Sequence, residues 1–410
     1  MRATGLRPGA PNDAIAGVVP RQVFTPSSVE EAARFLGEAT RAGRAVAFVG
    51  GGTELGLGAP PRDLDTVLRT AGLDRILEHS PADQIVVVEA GLPLAALSRA
   101  LAAHGQRLAL DPPLPERATA GGVLAANTFG PLRTRYGGPR DLVIGVTMVR
   151  ADGTVAKGGG KVVKNVAGFD LPRMLVGSLG TLGLVARVAF RLHPIPEVVE
   201  TLRVGGLSGE QVLALVRALR ERQLEPSSVT ALSSGSGWEL AVVFEGFSAG
   251  VAQQRDRLVE ISRGAGTPFD LLPAGDASAF RARHDRIRTG PPVRLKVSAP
   301  PASFAGGARE AVSRLTAALG GADVVWYPTL GLAFAAGEAA EPARLRPAID
   351  EARADLSRIG GSAVVVSVPD PLRPGLDPWG EAKAFGLMQA LKQRLDPGAR
   401  LAPGRFVGGL

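Results

Sequence analysis

The chain contains no cysteine. This removes disulfides, cysteine-held zinc, a cysteinyl-linked flavin and any iron–sulfur cluster ligated by its own thiolates. Aromatic residues are also scarce, 5% of 410 positions, and no basic stretch is interleaved with Phe or Tyr, so a base-stacking surface for nucleic acid is not expected. The net charge of +8 comes from arginines dispersed among Ala, Gly and Pro, with no polybasic run. No stretch reaches the roughly 18 apolar residues that span a bilayer, and the first twenty residues lack the apolar core of a signal peptide. A cytoplasmic protein is expected, with any membrane attachment made through a partner. Histidine occurs only at positions 79, 104, 193 and 284, and His284 beside Asp285 is a poor metal site, so no bound metal is expected.

Glycine, by contrast, is abundant, with 53 residues. Seven of them fall between Gly158 and Gly183, in GGGKVVKNVAGFDLPRMLVGSLGTLG. Glycine lets main-chain N–H groups approach an anion with no β-carbon in the way, and it reaches positive φ at no steric cost. Lys161 and Lys164 in this run either neutralise an anion or form a solvated face of the loop. Asp170, between Phe169 and Leu171, is expected to satisfy loop N–H groups.

A second glycine loop, Gly50 to Gly56, follows the apolar stretch Ala45 to Val49. A strand running into glycines invites a dinucleotide-binding reading, but that reading needs a helix next, and Gly58, Pro60 and Pro61 forbid one. The loop either binds an anion through its own N–H groups or is an ordinary glycine turn. A third segment, Ala118 to Ala126, holds only Ala, Thr, Gly, Val and Leu. Backbone there can lie close against a flat ligand, with Thr119 and Asn127 offering hydrogen bonds, or the small residues simply pack on a sheet. Arg133, Arg135 and Arg140 follow as possible anion partners, and Arg133 with Tyr136 can form an anion pocket.

The periodicities divide the chain. Residues 1–20 read as a loose Gly- and Pro-rich arm. A capped helix from Ser27 or Ser28 to Gly43, strands at Ala45–Val49, Asp65–Leu68 and Ile85–Glu89, and a helix at Leu94–His104 make a small βαβ-like lobe. A hairpin turning at Asp152–Gly153 and a strand at Val185–Leu192 follow, and the domain 21–196 closes at Pro194 and Pro196. From 197 to 370 the order of strands and helices repeats itself, which predicts an α+β domain with helices on one face of an antiparallel sheet. Residues 371–410 supply a helix and a tail that return to an earlier domain.

The segments GGGTELG, VEAGLPLAAL, ATAGGVLAANTFG, RYGGPRDLVIGVTMVRADGTV, GGKVVKNVAGFDLPRMLVGSLGTLGLVARVAFRLHPIP and LDPGARLAPGRF occur in this order. Together they resemble the vanillyl-alcohol-oxidase-like flavoproteins with a PCMH-type FAD-binding domain. Within them, GGKVVKNVAGFDL looks most like the FAD-binding E subunits of bacterial glycolate oxidases. The resemblance covers residues 24–196 and 379–410.

It implies an α+β protein: a two-lobed PCMH-type FAD-binding domain, an α+β cap domain with an antiparallel sheet, and a C-terminal segment that returns to the FAD domain. It implies non-covalent FAD held by Gly50, Gly51, Gly52, Thr53, Glu54, Leu55 and Gly56 at the pyrophosphate. Ala118, Thr119, Gly121, Gly122, Ala126 and Asn127 would line pyrophosphate and isoalloxazine. Gly177, Thr181, Gly183 and Val185 would reach the adenosine end, and Arg405 would approach the flavin, although Ala402 replaces the usual Asn before Pro403.

Relatives that oxidise 2-hydroxy acids carry a His-rich metal and base motif in the cap, which this chain lacks. The resemblance therefore implies a FAD-binding subunit of a glycolate oxidase (glycolate dehydrogenase) complex. It would either oxidise glycolate to glyoxylate or relay its electrons, beside a second FAD-domain subunit with a His-rich cap and an iron–sulfur subunit. The alternatives are a self-sufficient FAD dehydrogenase of another small 2-hydroxy acid or alcohol, using Arg133, Tyr136, His284 and Arg405, and a scaffold that has lost its cofactor.

Overall fold

The computed structural model describes residues 5–160, 170–235, 237–264, 266–338 and 341–410. Lys161 and Lys164 lie outside the described residues. The chain divides into two compact units, one of Met1–Gly130, Gly137–Ile195 and Glu381–Leu410, the other of Pro131–Tyr136 and Pro196–Gly380.

The first unit holds two principal sheets. In the smaller, strands Gln22–Phe24, Thr66–Arg69 and Val46–Val49 run parallel, with Leu6–Pro8 antiparallel at the edge. Helix Val29–Arg41 makes the crossover between Gln22–Phe24 and Val46–Val49. Its start obeys the local rule: Ser28 Oγ accepts the Glu31 N–H, and the Glu31 carboxylate reaches back to the Ser27 N–H and hydroxyl. Its apolar face, Val29, Ala32, Phe35, Leu36 and Ala39, is buried against Phe24, Val46 and Leu68. The arm expected at residues 1–20 is not loose over its described part. Leu6–Pro8 pairs in the sheet, Ile15 is buried, and the carboxylate of Asp13 is clamped by Arg7 and Arg69, which holds it well below the usual carboxylate range. Glycine and proline set turns here without removing the apolar anchor.

The larger sheet has five antiparallel strands in the order Ile76–Ser80, Ile85–Glu89, Leu184–Arg191, Val143–Val149, Val155–Gly159. Strand Ile85–Glu89, expected in the βαβ lobe, belongs to this sheet instead. The hairpin turns where expected: Arg150 accepts the Gly153 N–H and Gly153 takes φ +85°. Helices Leu94–Ala102 and Ala120–Ala126 pack on the sheet through Leu94, Leu97, Leu101, Val123 and Leu124. Beyond helix Phe385–Leu395 the tail joins the smaller sheet, where the Val46 N–H donates to Arg400 O and the Ala402 N–H to Val46 O, both at 2.8 Å.

The second unit is built on one eight-stranded antiparallel sheet. Its order places strands 198–207, 237–246 and 228–234 beside 323–327, 332–337 and 293–298, so two β-α-β-β-α halves meet at strands 228–234 and 323–327, the second of each in chain order. Helices Gly209–Glu221, Ser248–Gly264, Gly307–Ala318 and Pro342–Arg358 share one core with the sheet. The expectation of helices on a single face needs one correction. A fifth helix, Ala274–Thr289, packs on strands 323–327 and 332–337 through His284 and Tyr327, and Tyr327 alternates with the core residue Trp326 and so faces the other way. This helix is charged nearly all round, RARHDRIR, and has no apolar stripe to announce it.

Candidate cofactor site

An open cleft of about 820 Å³, counting the solvent at its mouth, lies within the first unit. Strand Val46–Val49 leads into it, and the chain from Gly50 to Leu55 then forms one wall without any helix. Close approach explains the glycines. A β-carbon on Gly50 would stand 2.2 Å from Thr119 Oγ1, and one on Gly51 would stand 1.6 Å from the carbonyl oxygen of Arg117. Gly52 has room beside it but takes φ +68°, which L side chains rarely adopt.

The opposite wall is the short helix Ala120–Ala126. Thr119 caps it by accepting the Gly122 N–H, and Asn127 ends it in the left-handed region at φ 52°. A β-carbon on Gly121 would lie 2.6 Å from that of Ala90, so the helix sits close on the end of strand Ile85–Glu89. The Gly177 N–H donates to Leu124 O and the Leu179 N–H to Ala125 O, which docks the 177–183 turn on the helix end.

The C-terminal tail closes a third side. The buried guanidinium of Arg405 donates to the carbonyls of Leu55, Leu57 and Ala59, while the Ala59 N–H donates to Arg405 O at 3.1 Å. Behind the 178–183 turn sits the buried ammonium of Lys392, donating to Thr181 O, Leu401 O and the Asp396 carboxylate. Burial pushes its pKa down, and Asp396 opposes that shift.

Of the residues expected at a cofactor, Gly50, Gly51, Gly52, Thr53, Glu54, Leu55, Thr119, Gly121, Gly122, Ala126, Gly183, Val185 and Arg405 line this cleft. Gly56, Ala118, Asn127, Gly177 and Thr181 do not line it, and the last two act through the turn they shape. Ile15, Thr70 and Ala402 line it and were not expected to. Ile15 is a single apolar residue in a Gly- and Pro-rich stretch, and no periodicity marks it.

Arg133, Tyr136 and His284 lie in the second unit. Arg133 and Tyr136 sit on a short helix against strand Ser228–Ser234, where Arg135 donates to Glu225 O and Thr134 meets Thr329. His284 is 1% exposed; its Nδ1 meets Asp285 and its Nε2 meets the Tyr327 hydroxyl, which also accepts from Arg288. Burial pushes its pKa down to about 4, against the pull of Asp285. With both ring nitrogens engaged it is not placed to meet a substrate, contrary to the expectation that it works beside Arg133 and Tyr136. The other histidines also have partners: His79 meets Gln106 and stacks edge-on with His104, and His193 meets Arg191. Asp170 accepts the Arg173 N–H and caps a short helix. Among the described residues no group of three or more His, Asp or Glu side chains could hold a metal.

Residues 20–159 match the family described as "FAD binding domain". The match covers 140 of the chain's 410 residues, and these carry the Gly50–Leu55 and Thr119–Ala126 walls of the cleft. The chain's cofactor is FAD. The chain is 34% identical over 158 residues to glycolate oxidase subunit GlcE of Escherichia coli, 38% of this chain and 44% of that protein. It is 37% identical over 174 residues to D-lactate dehydrogenase of Archaeoglobus fulgidus, 42% of this chain and 38% of that one. The matched part thus spans less than half the length of these curated relatives. Among solved structures, p-cresol methylhydroxylase shares the fold with a TM-score of 0.75 at 16% identity, over 94% of this chain and 88% of that one. Alkyldihydroxyacetonephosphate synthase shares it with a TM-score of 0.73 at 17% identity, over 95% and 78%. The expected α+β fold and the resemblance to glycolate oxidase E subunits hold, and no helix among the described residues is long and apolar enough to cross a membrane.

Proposed function

We propose that this protein is the FAD-binding subunit of a glycolate oxidase complex, an oxidoreductase acting on the CH–OH group of a small 2-hydroxy acid. In this reading it works in the cytoplasm with a second FAD-domain subunit carrying a His-rich cap and with an iron–sulfur subunit. Gly50 to Leu55, Thr119 to Ala126 and Gly183 to Val185 hold the cofactor without a covalent bond; the cleft fits FAD because its walls are backbone and small side chains, with glycine wherever a β-carbon would collide. When bound, FAD supplies the redox chemistry, and the chain supplies its position and electrostatic setting. Arg405 acts as a positioning residue, its guanidinium engaged with the carbonyls of the 55–59 loop.

The observation that carries the subunit reading is His284. It is the only histidine of the second unit, and it is buried between Asp285 and Tyr327. A group placed so cannot take a proton from a hydroxy acid at the flavin, so the base is assigned to a partner. The second reading, a self-sufficient dehydrogenase using Arg133 and Tyr136, is favoured by the similarity to the D-lactate dehydrogenase. Purified FAD-loaded protein mixed anaerobically with glycolate or D-lactate separates the two. The subunit reading expects flavin that stays oxidised until the partner subunits are added, and rapid bleaching of the isolated chain would overturn it.

A further inference from the structure

The pyrophosphate of a dinucleotide carries about two negative charges near neutral pH, and among the described residues the charged side chains that line the cleft are Glu54 and Arg405. These two cancel, and Arg405 is directed at the carbonyls of Leu55, Leu57 and Ala59. Backbone N–H groups of a glycine loop bind an anion through dipoles but bring no net charge. Among the described residues, charge compensation for the ligand therefore falls to the rim.

Arg117 stands at that rim. Its main chain is fixed by two bonds, since its own N–H and that of Ala118 both donate to the carbonyl of Leu114, a residue held at φ +57°. Its carbonyl oxygen occupies the place a β-carbon would take on Gly51, and its Nη2 donates back to Gly51 O at 3.3 Å. The same Nη2 lies 3.9 Å from where a β-carbon on Gly52 would stand, beside Leu55 Cδ1 at 3.4 Å and Leu55 Cγ at 3.9 Å. The guanidinium is thus held against the open side of the 50–52 loop by a single long bond, with further N–H donors on the same fork.

Resting on the assignment of this cleft to FAD, we infer that Arg117 is a phosphate-recognition residue: its guanidinium supplies the positive charge that the glycine loop lacks for the cofactor's pyrophosphate. The interaction is a charge-assisted one at a solvent-facing rim, so it weakens with added salt.

The test is FAD titration of the apo full-length protein, as wild type, Arg117→Gln and Arg117→Lys, at low and high sodium chloride. Arg117→Gln is expected to weaken FAD binding about tenfold at low salt and to flatten the dependence of Kd on salt, while Arg117→Lys retains most of the affinity and the salt dependence. The thermal unfolding of the three apo proteins should agree. Wild-type Kd and salt dependence in Arg117→Gln would overturn the inference. So would equal losses in both variants with an unchanged salt dependence, which would make the bond to Gly51 O structural. Absence of FAD binding by the wild type would instead remove the assignment of the cleft, and the inference with it.

Discussion

The ammonium of Lys392 donates to the carbonyl oxygen of Thr181 at 2.9 Å, joining the C-terminal helix to a turn 211 residues earlier in the chain. The same nitrogen bonds Leu401 O, one residue before the cleft-lining Ala402, so one buried charge ties two walls of the cofactor site together. Asp396 neutralises it and also accepts the N–H groups of Arg400 and Leu401. Lys392→Met leaves that carboxylate buried without its cation, a loss of roughly 3 kcal/mol on the usual scale for broken buried pairs. Chemical denaturation of the apo protein should show that loss, and FAD should bind more weakly because the 178–183 turn is no longer fixed to the tail. Unchanged stability would mean that water replaces the ammonium at little cost.

Two neighbouring glycines are expected to fail in different ways. Gly51→Ala places a β-carbon 1.6 Å from Arg117 O, and both partners are backbone, so the loop or the 114–118 turn must move. Gly52→Ala meets nothing closer than Leu55 Cδ1 at 3.4 Å and costs only the left-handed conformation, about 1–2 kcal/mol. The first variant should purify largely without flavin; the second should keep FAD with a modestly lower Tm. Gly52→Val adds β-branching at the same positive φ and should be worse than Gly52→Ala. Stoichiometric FAD in Gly51→Ala would show that the close approach can relax without harm to the site.

What sequence makes legible here is local chemistry. Ser28 with Glu31, the turn at Gly153 and the prolines that bar a helix after Gly56 all act within a few residues, and all are where the pattern places them. The glycine-rich stretches were legible because backbone approach to a ligand demands one residue type. Partners distant in sequence were not. Nothing in the Gly- and Pro-rich start marks Ile15 as a cleft residue, and nothing in an Ile-Val-Val-Val strand tells which of two sheets it joins. Helix Ala274–Thr289 was missed because its contact with the sheet is polar, built on His284, Arg288 and Tyr327. Arg117 gains its place only once its backbone is seen against Gly51.

The polar contact under that helix makes a measurable prediction about acid stability. His284 has a folded-state pKa of about 4, below its ordinary value, because burial disfavours the imidazolium beside Arg281 and Arg288 more than Asp285 favours it. Between that value and about 6.5 the unfolded chain binds a proton that the folded chain does not, so this group's contribution to stability rises with pH and is lost as pH falls through the window. Between pH 7 and pH 5 the loss amounts to about 2 kcal/mol. His284→Gln keeps a polar side chain for Tyr327 and does not titrate, so its stability relative to wild type should improve by that amount on acidification. All three tryptophans, Trp238, Trp326 and Trp379, lie in the second unit, so denaturant unfolding followed by tryptophan fluorescence reads this unit directly. If the difference between wild type and His284→Gln is the same at both pH values, the imidazole takes up a proton as readily in the folded as in the unfolded chain, and the buried setting between Asp285 and Tyr327 on which its exclusion as a base rests does not hold.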